Sequence, residues 1–335
     1  MSTRPATHAG SWYSNRRSEL SSQLVGYLND TGMRDGGISK ARLIISPHAG
    51  YRYCGATMAH AYASLDVNPA IKRVFILGPS HHVYFRNQIF VTRFHSLETP
   101  LGSLQVDVEV VKKLHKLQEG HLFVPMDNDA DMGEHSLEMQ FPMLVQTLQW
   151  RGIDVNSVKI VPMMVSHNSA EVDLAVGNVL KEYLMDPSNL FAISSDFCHW
   201  GRRFAYTGYV GSQDELEDAL QEETEIEMLT ARSKLSHHQV DVWQSIELLD
   251  KMAMKVLSDN TDDAKYNAWK QYLDITGNTI CGARPIAVML SALQTVRRPA
   301  GKTRFEWPSY SQSSHVKNLD ESSVSYAAGY AVIDN

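Results

Sequence analysis

Cysteine is scarce in this chain of 335 residues: Cys54, Cys198 and Cys281 are the only three. An odd, sparse set does not make a disulfide framework and points to a reducing compartment. No run approaches the ~20 apolar residues that span a bilayer. The N-terminal residues Met1–Pro5 lack the apolar stretch of a signal peptide. Basic excess is missing too. The formal net charge is −7 and the pI is near 6.0, which excludes the electrostatic footprint of a nucleic-acid binder. These absences describe a soluble cytoplasmic protein without membrane insertion, with nuclear entry left open. No internal repeat or low-complexity linker divides the chain. What is present is core, at 43% hydrophobic residues. That favours one α/β domain over residues 1–335 rather than two smaller ones.

Four short apolar runs end in polar residues. Val74–Leu77 breaks at Gly78-Pro79 and delivers Ser80, His81 and His82. Leu43–Ile45 runs into Ser46, Pro47 and His48; Val161–Val165 into Ser166, His167 and Asn168; Phe191–Ile193 into Ser194, Ser195, Asp196 and, two residues on, Cys198-His199. Such runs read as buried strands bounded by turns. In open α/β sheets, ligands bind beyond the carboxyl ends of the strands. His48, His81, Asp196 and His199 therefore fall at one sheet edge, where they can bind metal or move protons. His48 and His81 are one strand–helix–strand unit apart, and on adjacent parallel strands they would be ~4.8 Å apart. His82 faces away from His81, since neighbouring side chains in extended backbone alternate. His167 is either a fifth member or part of a plain capping turn.

Between these runs, leucine spacing predicts a helix over Ser18–Leu28, and small residues predict another over Gly55–Leu65. Gln88–Thr92 reads as a strand and Val108–Leu117 as a helix. Asp127–Glu134 reads as an acidic loop before a helix over His135–Gln149. Glu134, His135 and Glu138 bunch at that helix start, where the backbone dipole alone would favour carboxylates; the other roles open to them are orienting a ligand and moving protons. Ala170–Leu184, Asp214–Leu235, Val240–Leu257 and Arg284–Val296 read as helices. Arg297–Ser323 reads as a polar loop, and Val324–Ile333 as a final strand. His8-Ala9-Gly10-Ser11-Trp12-Tyr13 is an arm pinned by its aromatics or a site wall with His8 or Trp12 facing substrate. Cys281, just before a helix, is either a thiol with a pKa lowered by the dipole or an inert buried one.

At these residues the sequence resembles the Memo family, in a fungal-type form. The stretches that carry the likeness are His8–Tyr13, Pro47–Gly55, Phe75–Val83, Glu134–Pro142, Asp186–Phe191, Ser194–Gly201, Asn278–Gly282 and Ser322–Gly329. They run in order over nearly the whole chain. The family is named for mediating receptor-driven cell motility and is related in structure to class III extradiol (LigB-type) dioxygenases. The resemblance implies a largely parallel or mixed sheet flanked by helices, a LigB-like dioxygenase fold. It also implies a metal site of His48, His81 and Cys281, with His199 as base and Asp196 beside it.

In those dioxygenases two histidines and a glutamate hold iron. Here Cys281 stands in the glutamate's place. A carboxylate with two histidines suits Fe(II), whereas thiolate is softer and favours copper or zinc as well, and it can be oxidised by the oxygen it helps bind. That points away from ring cleavage and toward simpler redox chemistry with iron or copper. Two other readings stand beside it. One is a signalling module that binds a peptide or metabolite on an enzyme-derived fold, linked to motility or invasive growth, with Trp12, Tyr13, Tyr53 and Trp200 as aromatic walls. The other is a zinc hydrolase, with His199 as base. His8, Trp12, Tyr53, His82, Glu134, His135 and Trp200 are the expected pocket residues around the metal and base.

Overall fold

In the computed structural model, which describes residues 2–296 and 302–334, four parallel strands form the centre of one large sheet. Their order is Lys159–Val165, Arg73–Pro79, Asn189–Ser194 and Ala41–Ser46. Apart from Lys159 and Arg73, which start two neighbouring strands, these residues are buried. A strand covered on both faces has no reason to alternate polar with apolar. Ser323–Val332 continues the sheet antiparallel to Ala41–Ser46, and Phe305–Gln312 adds an antiparallel edge beyond it. On the other side come Leu104–Val106, Ser96–Leu97 and the N-terminal pair Thr3–Arg4. The whole is a mixed α/β domain with a largely parallel centre.

Helices flank the sheet in two groups. Arg17–Asp30, Tyr51–Ser64 and Gln140–Trp150 pack together, as do Ala170–Met185 and Ala283–Thr295. The second pair crosses so closely at Gly177 that a Cβ there would lie 2.7 Å from the Ala292 backbone nitrogen. A smaller cluster of Cys198, Trp200, Tyr206, Tyr209, Val242 and Ile246 fills the space beside the main core.

The structure revises several sequence expectations. The His48 and His81 strands are not neighbours: Asn189–Ser194 lies between them. The helix expected over Asp214–Leu235 ends at Glu222, with Glu223 in a left-handed conformation at φ 54°. Its acidic end opposes the helix dipole, and beyond it Glu227–Met228 pairs back, antiparallel, with Gly208–Tyr209 from before the helix. The acidic loop contains a short helix, Asn128–Gly133, capped by the Asp127 carboxylate. The helix expected from His135 is broken into His135–Glu138 and Gln140–Trp150, with Pro142 in the first turn of the second piece, where a missing N–H costs little. The expected polar loop holds the edge strand Phe305–Gln312. Its apolar alternation is weak because it is an edge, and Pro308 sits at a register shift between Glu306 and Ser309. The start of that segment, 297–301, lies outside the described residues.

Candidate metal centre

Three adjacent strands deliver the chemistry in order: His81 beyond Arg73–Pro79, Asp196 beyond Asn189–Ser194, His48 beyond Ala41–Ser46. Two strand spacings are ~9.6 Å, so the imidazoles must lean in over the central strand to meet. They do, with ring centres 5.2 Å apart and planes at 81°.

Hydrogen bonds settle which nitrogen each ring offers. The Ser194 hydroxyl gives its only hydrogen to the Ser136 carbonyl at 2.6 Å and receives the Gln140 amide N–H at 2.9 Å. The remaining partner, His48 Nδ1 at 2.7 Å, must therefore donate. That leaves the Nε2 lone pair of His48 facing out. Burial, reinforced by His81, keeps His48 well below the ordinary histidine range, so it is neutral. His81 Nδ1 lies 2.7 Å from the Glu134 carboxylate and donates to it, which frees its Nε2 in the same way. Burial alone would raise the Glu134 pKa, but the hydrogen bonds it accepts from the His81 ring and from the His81 and Ser136 backbone outweigh it and bring it down to about 2. His199 Nδ1 donates to the carbonyls of Phe197 and Thr279, at 2.9 and 3.1 Å. Its Nε2 stays available as a base. Bonds of this kind fix tautomer and orientation around metals.

The Cys281 sulfur lies 3.1 Å from His48 Nε2 and accepts the Asp196 backbone N–H at 3.2 Å. Burial, then the Asp196 charge, push this thiol up; a dipole-lowered pKa is not what the structure shows, because desolvation beats the helix end. Asp196 accepts the His48 backbone N–H at 2.7 Å, and burial raises its pKa. His135 is stacked between Trp12 and His81, with ring centres 4.4 and 4.2 Å away. Burial and the neighbouring His48 and His81 lower its pKa to about 3. The ligand atoms of His48, His81 and His135 lie within 4.8 Å of one another, a group able to hold a metal ion.

A cleft of about 810 Å³ opens over these residues, and Trp12, Tyr53 and Tyr326 line it together with His48, His135 and His199. The remaining expected residues take other places. Trp200 is fully buried in the small second core and donates its indole N–H to the Gly208 carbonyl; it is no wall of the cleft, because its large ring is what fills that core. Tyr13 is also buried, with its hydroxyl on Glu138. His8 donates Nδ1 to Glu138 from beside Trp12. His82 is exposed, and His167 lies tilted against Tyr84, with ring centres 4.8 Å apart, outside the cleft. The anchors Gln140 and Thr279 escaped the sequence reading, which named Ser194 only as one of the polar residues after its strand. Glu138, read as a helix-start carboxylate, instead gathers Arg4, His8 and Tyr13. The clue was its spacing of four from Glu134, which puts both carboxylates on one side of a helical turn.

The Memo-like protein family matches residues 4–330. The chain belongs to this family. Over 339 aligned residues it is 64% identical to the MEMO1 family protein MHO1 of Saccharomyces cerevisiae, covering 99% of this chain and 100% of that one. It is 37% identical to human Protein MEMO1 over 327 residues, covering 97% and 96%. Protein MEMO1 of Xenopus laevis is 40% identical over 333 residues, covering 98% and 97%. Among the described residues of this Memo-like chain, no helix is long and apolar enough to cross a membrane.

The Glu134 carboxylate gives one prediction at once. Glu134→Gln removes the charge and one of the two acceptor oxygens that orient His81, and divalent-metal affinity is expected to fall ~10–100-fold. Equilibrium dialysis against Co2+ checks it; unchanged affinity would mean His81 needs no orienting partner.

Proposed function

We propose that this Memo-like protein is a redox metalloprotein that uses iron or copper. The observation that carries the reading is the pair of anchored imidazoles: His48 and His81 hold their Nδ1 hydrogens on Ser194 and Glu134 and turn both Nε2 lone pairs to one place. The donor set fits a metal. An ion ~2.0–2.1 Å from each nitrogen puts two imidazole centres roughly 5 Å apart, as these are. Cys281 supplies the thiolate that the family resemblance implies. A bound iron or copper ion supplies one-electron chemistry toward dioxygen.

The chain's own residues do the rest. His199 takes a proton at Nε2 from a substrate hydroxyl in the cleft, while the carbonyls on its Nδ1–H stabilise the resulting imidazolium. Asp196 holds the His48 backbone and places the Cys281 sulfur through its own N–H. The cleft walls Trp12 and Tyr53 bound the substrate and narrow the access of water.

Metal content tests this reading. Protein purified anaerobically without a metal-binding tag is expected to carry close to one equivalent of iron or copper by elemental mass spectrometry, and His48→Ala to carry none. Zinc alone would turn the reading to hydrolysis. A metal-free protein that takes up neither iron nor copper would leave the peptide- or metabolite-binding module, which the half-exposed Tyr53 at the cleft mouth favours. Trp12→Ala and Tyr53→Ala would then abolish partner binding while His48→Ala leaves it intact. Signalling and motility rest on the family resemblance, and a cytoplasmic setting on the sparse cysteines and the composition.

A further inference from the structure

We infer that this protein carries a separate binding site for a tetrahedral oxyanion of the phosphate type, in a cavity of about 230 Å³ edged by Arg93, His95, Lys112 and His115. The cavity shares no lining residue with the metal cleft and stands whatever that cleft binds. The segment Thr92–His95 leaves the strand Ile89–Val91, which runs antiparallel to Lys159–Val165 and so heads away from the carboxyl ends where the other histidines gather. Another wall is the helix Val108–His115, whose Val108 and Val111 form part of the apolar lining.

Charge sets this cavity apart. The chain has a net charge of −7, yet no aspartate or glutamate lines the cavity. Lys112 and His115 lie in the last turn of their helix, where cations complement the dipole, so the helix itself accounts for them. Arg93 and His95 come from a different segment and are not explained in that way. Arg93 has no hydrogen bond or ion pair among the described residues. Lys112 meets Glu109 at 3.0 Å, with both side chains mostly exposed, and a surface pair of that kind is worth little.

The imidazoles are unspent as well. The Ser2 backbone N–H donates to His95 Nδ1 at 3.4 Å, so the neutral ring carries its hydrogen on Nε2, with no acceptor among the described residues. His115 is bonded at neither nitrogen among those residues, and its Nε2 is buried. Buried polar atoms in folded proteins nearly always have partners. Burial, then the charge of Arg93, push the His115 pKa down, and the other titratable side chains of the lining, His95 and Lys112, bring no negative charge. An oxyanion answers these groups together. The fork of arginine matches two phosphate oxygens, and a tetrahedral anion turns further oxygens toward Lys112 and the imidazole N–H groups. A carboxylate has two oxygens in one plane and leaves donors unpaired. The anion's charge also offsets Arg93 at His115, so binding raises the His115 pKa.

Inorganic phosphate is the probe, with metal-stripped full-length protein at fixed ionic strength. Equilibrium dialysis is expected to find one equivalent bound. Arg93→Ala should lose ~10-fold or more in affinity; the side chain is exposed, so the variant should melt like wild type. Arg93→Lys keeps the charge without the fork and should fall between. Arg52→Ala, at the metal cleft, should bind phosphate like wild type. Sulfate stays a dianion across the histidine range, and at saturation it should raise the His115 pKa, followed by NMR, by ~1 unit. Phosphoserine identifies the source: tighter binding than free phosphate points to a phosphorylated metabolite, equal or weaker binding to the free ion. No saturable binding at millimolar phosphate would overturn the site. So would binding lost in Arg52→Ala but kept in Arg93→Ala, or saturation that leaves His115 unmoved.

Discussion

Arg4→Ala is expected to lose ~3–5 kcal/mol of folding stability, the usual penalty for stripping one partner from a buried charge cluster. Arg4 is fully buried although it lies four residues from the N-terminus. Its Nε meets Asp131 at 2.7 Å and its Nη1 meets Glu138 at 2.6 Å; Nη2 donates to the carbonyls of Asp131 and Glu134. Truncation leaves two carboxylates buried with no cation. Lysine cannot replace the planar fork, so Arg4→Lys should fall between. The pH dependence follows from Glu138. Burial would raise its pKa, but the bonds from His8 and Arg4 prevail and lower it to about 2 from 4.5. A carboxylate depressed on folding adds stability that is complete above pH ~4.5 and is lost as pH falls toward ~2. Asp131 has the opposite sign, since its burial outweighs Arg4, and it softens the slope. Urea denaturation from pH 7 to pH 2 should therefore show a shallower acid loss in Arg4→Ala than in wild type. A penalty under ~1 kcal/mol at pH 7 would contradict the burial of the cluster.

Gly282→Ala should cost ~3 kcal/mol, at the upper end for overpacking, and should open the Cys281 contact. Its φ of −85° is allowed to any residue, so the constraint is space alone. A Cβ there would collide with the Ser195 side chain and lie 2.6 Å from the Ser194 carbonyl. Ser194 and Ser195 end the central strand and cannot retreat without dragging Asp196 and the His48 anchor with them. The Gly282 N–H also bonds to the Ser195 hydroxyl at 3.0 Å. The loop carrying Cys281 must therefore rise off the strand end. Maleimide labelling of Cys281 should accelerate, while buried Cys54 and Cys198 serve as internal standards. Thermal melting gives the stability change. A variant as stable as wild type, with Cys281 no more reactive, would mean the two segments are not in contact.

Residue order alone determined much of this protein. The apolar runs of the central strands mark buried parallel sheet, because a strand covered on both faces needs no polar alternation. The turn residues after them mark where His48, His81, Asp196 and His199 emerge. Composition excluded a disulfide scaffold and a bilayer-spanning run, since both require residue types this chain does not supply. Local signals failed where distant groups decide. Nothing near Trp200 says that its ring is needed to fill a second core rather than to face a ligand. The polar segment containing Phe305–Gln312 becomes a strand only because Ser323–Val332 offers it an edge. The helix that follows Cys281 offers its thiol a dipole that lowers pKa, yet burial by the neighbouring strands and the charge of Asp196 raise it. Only the tertiary structure set Asn189–Ser194 between the two histidine strands, and only it left His135 without an anchor between Trp12 and His81. Strand order and side-chain anchoring depend on contacts between residues far apart in sequence, and no local pattern of residues encodes them.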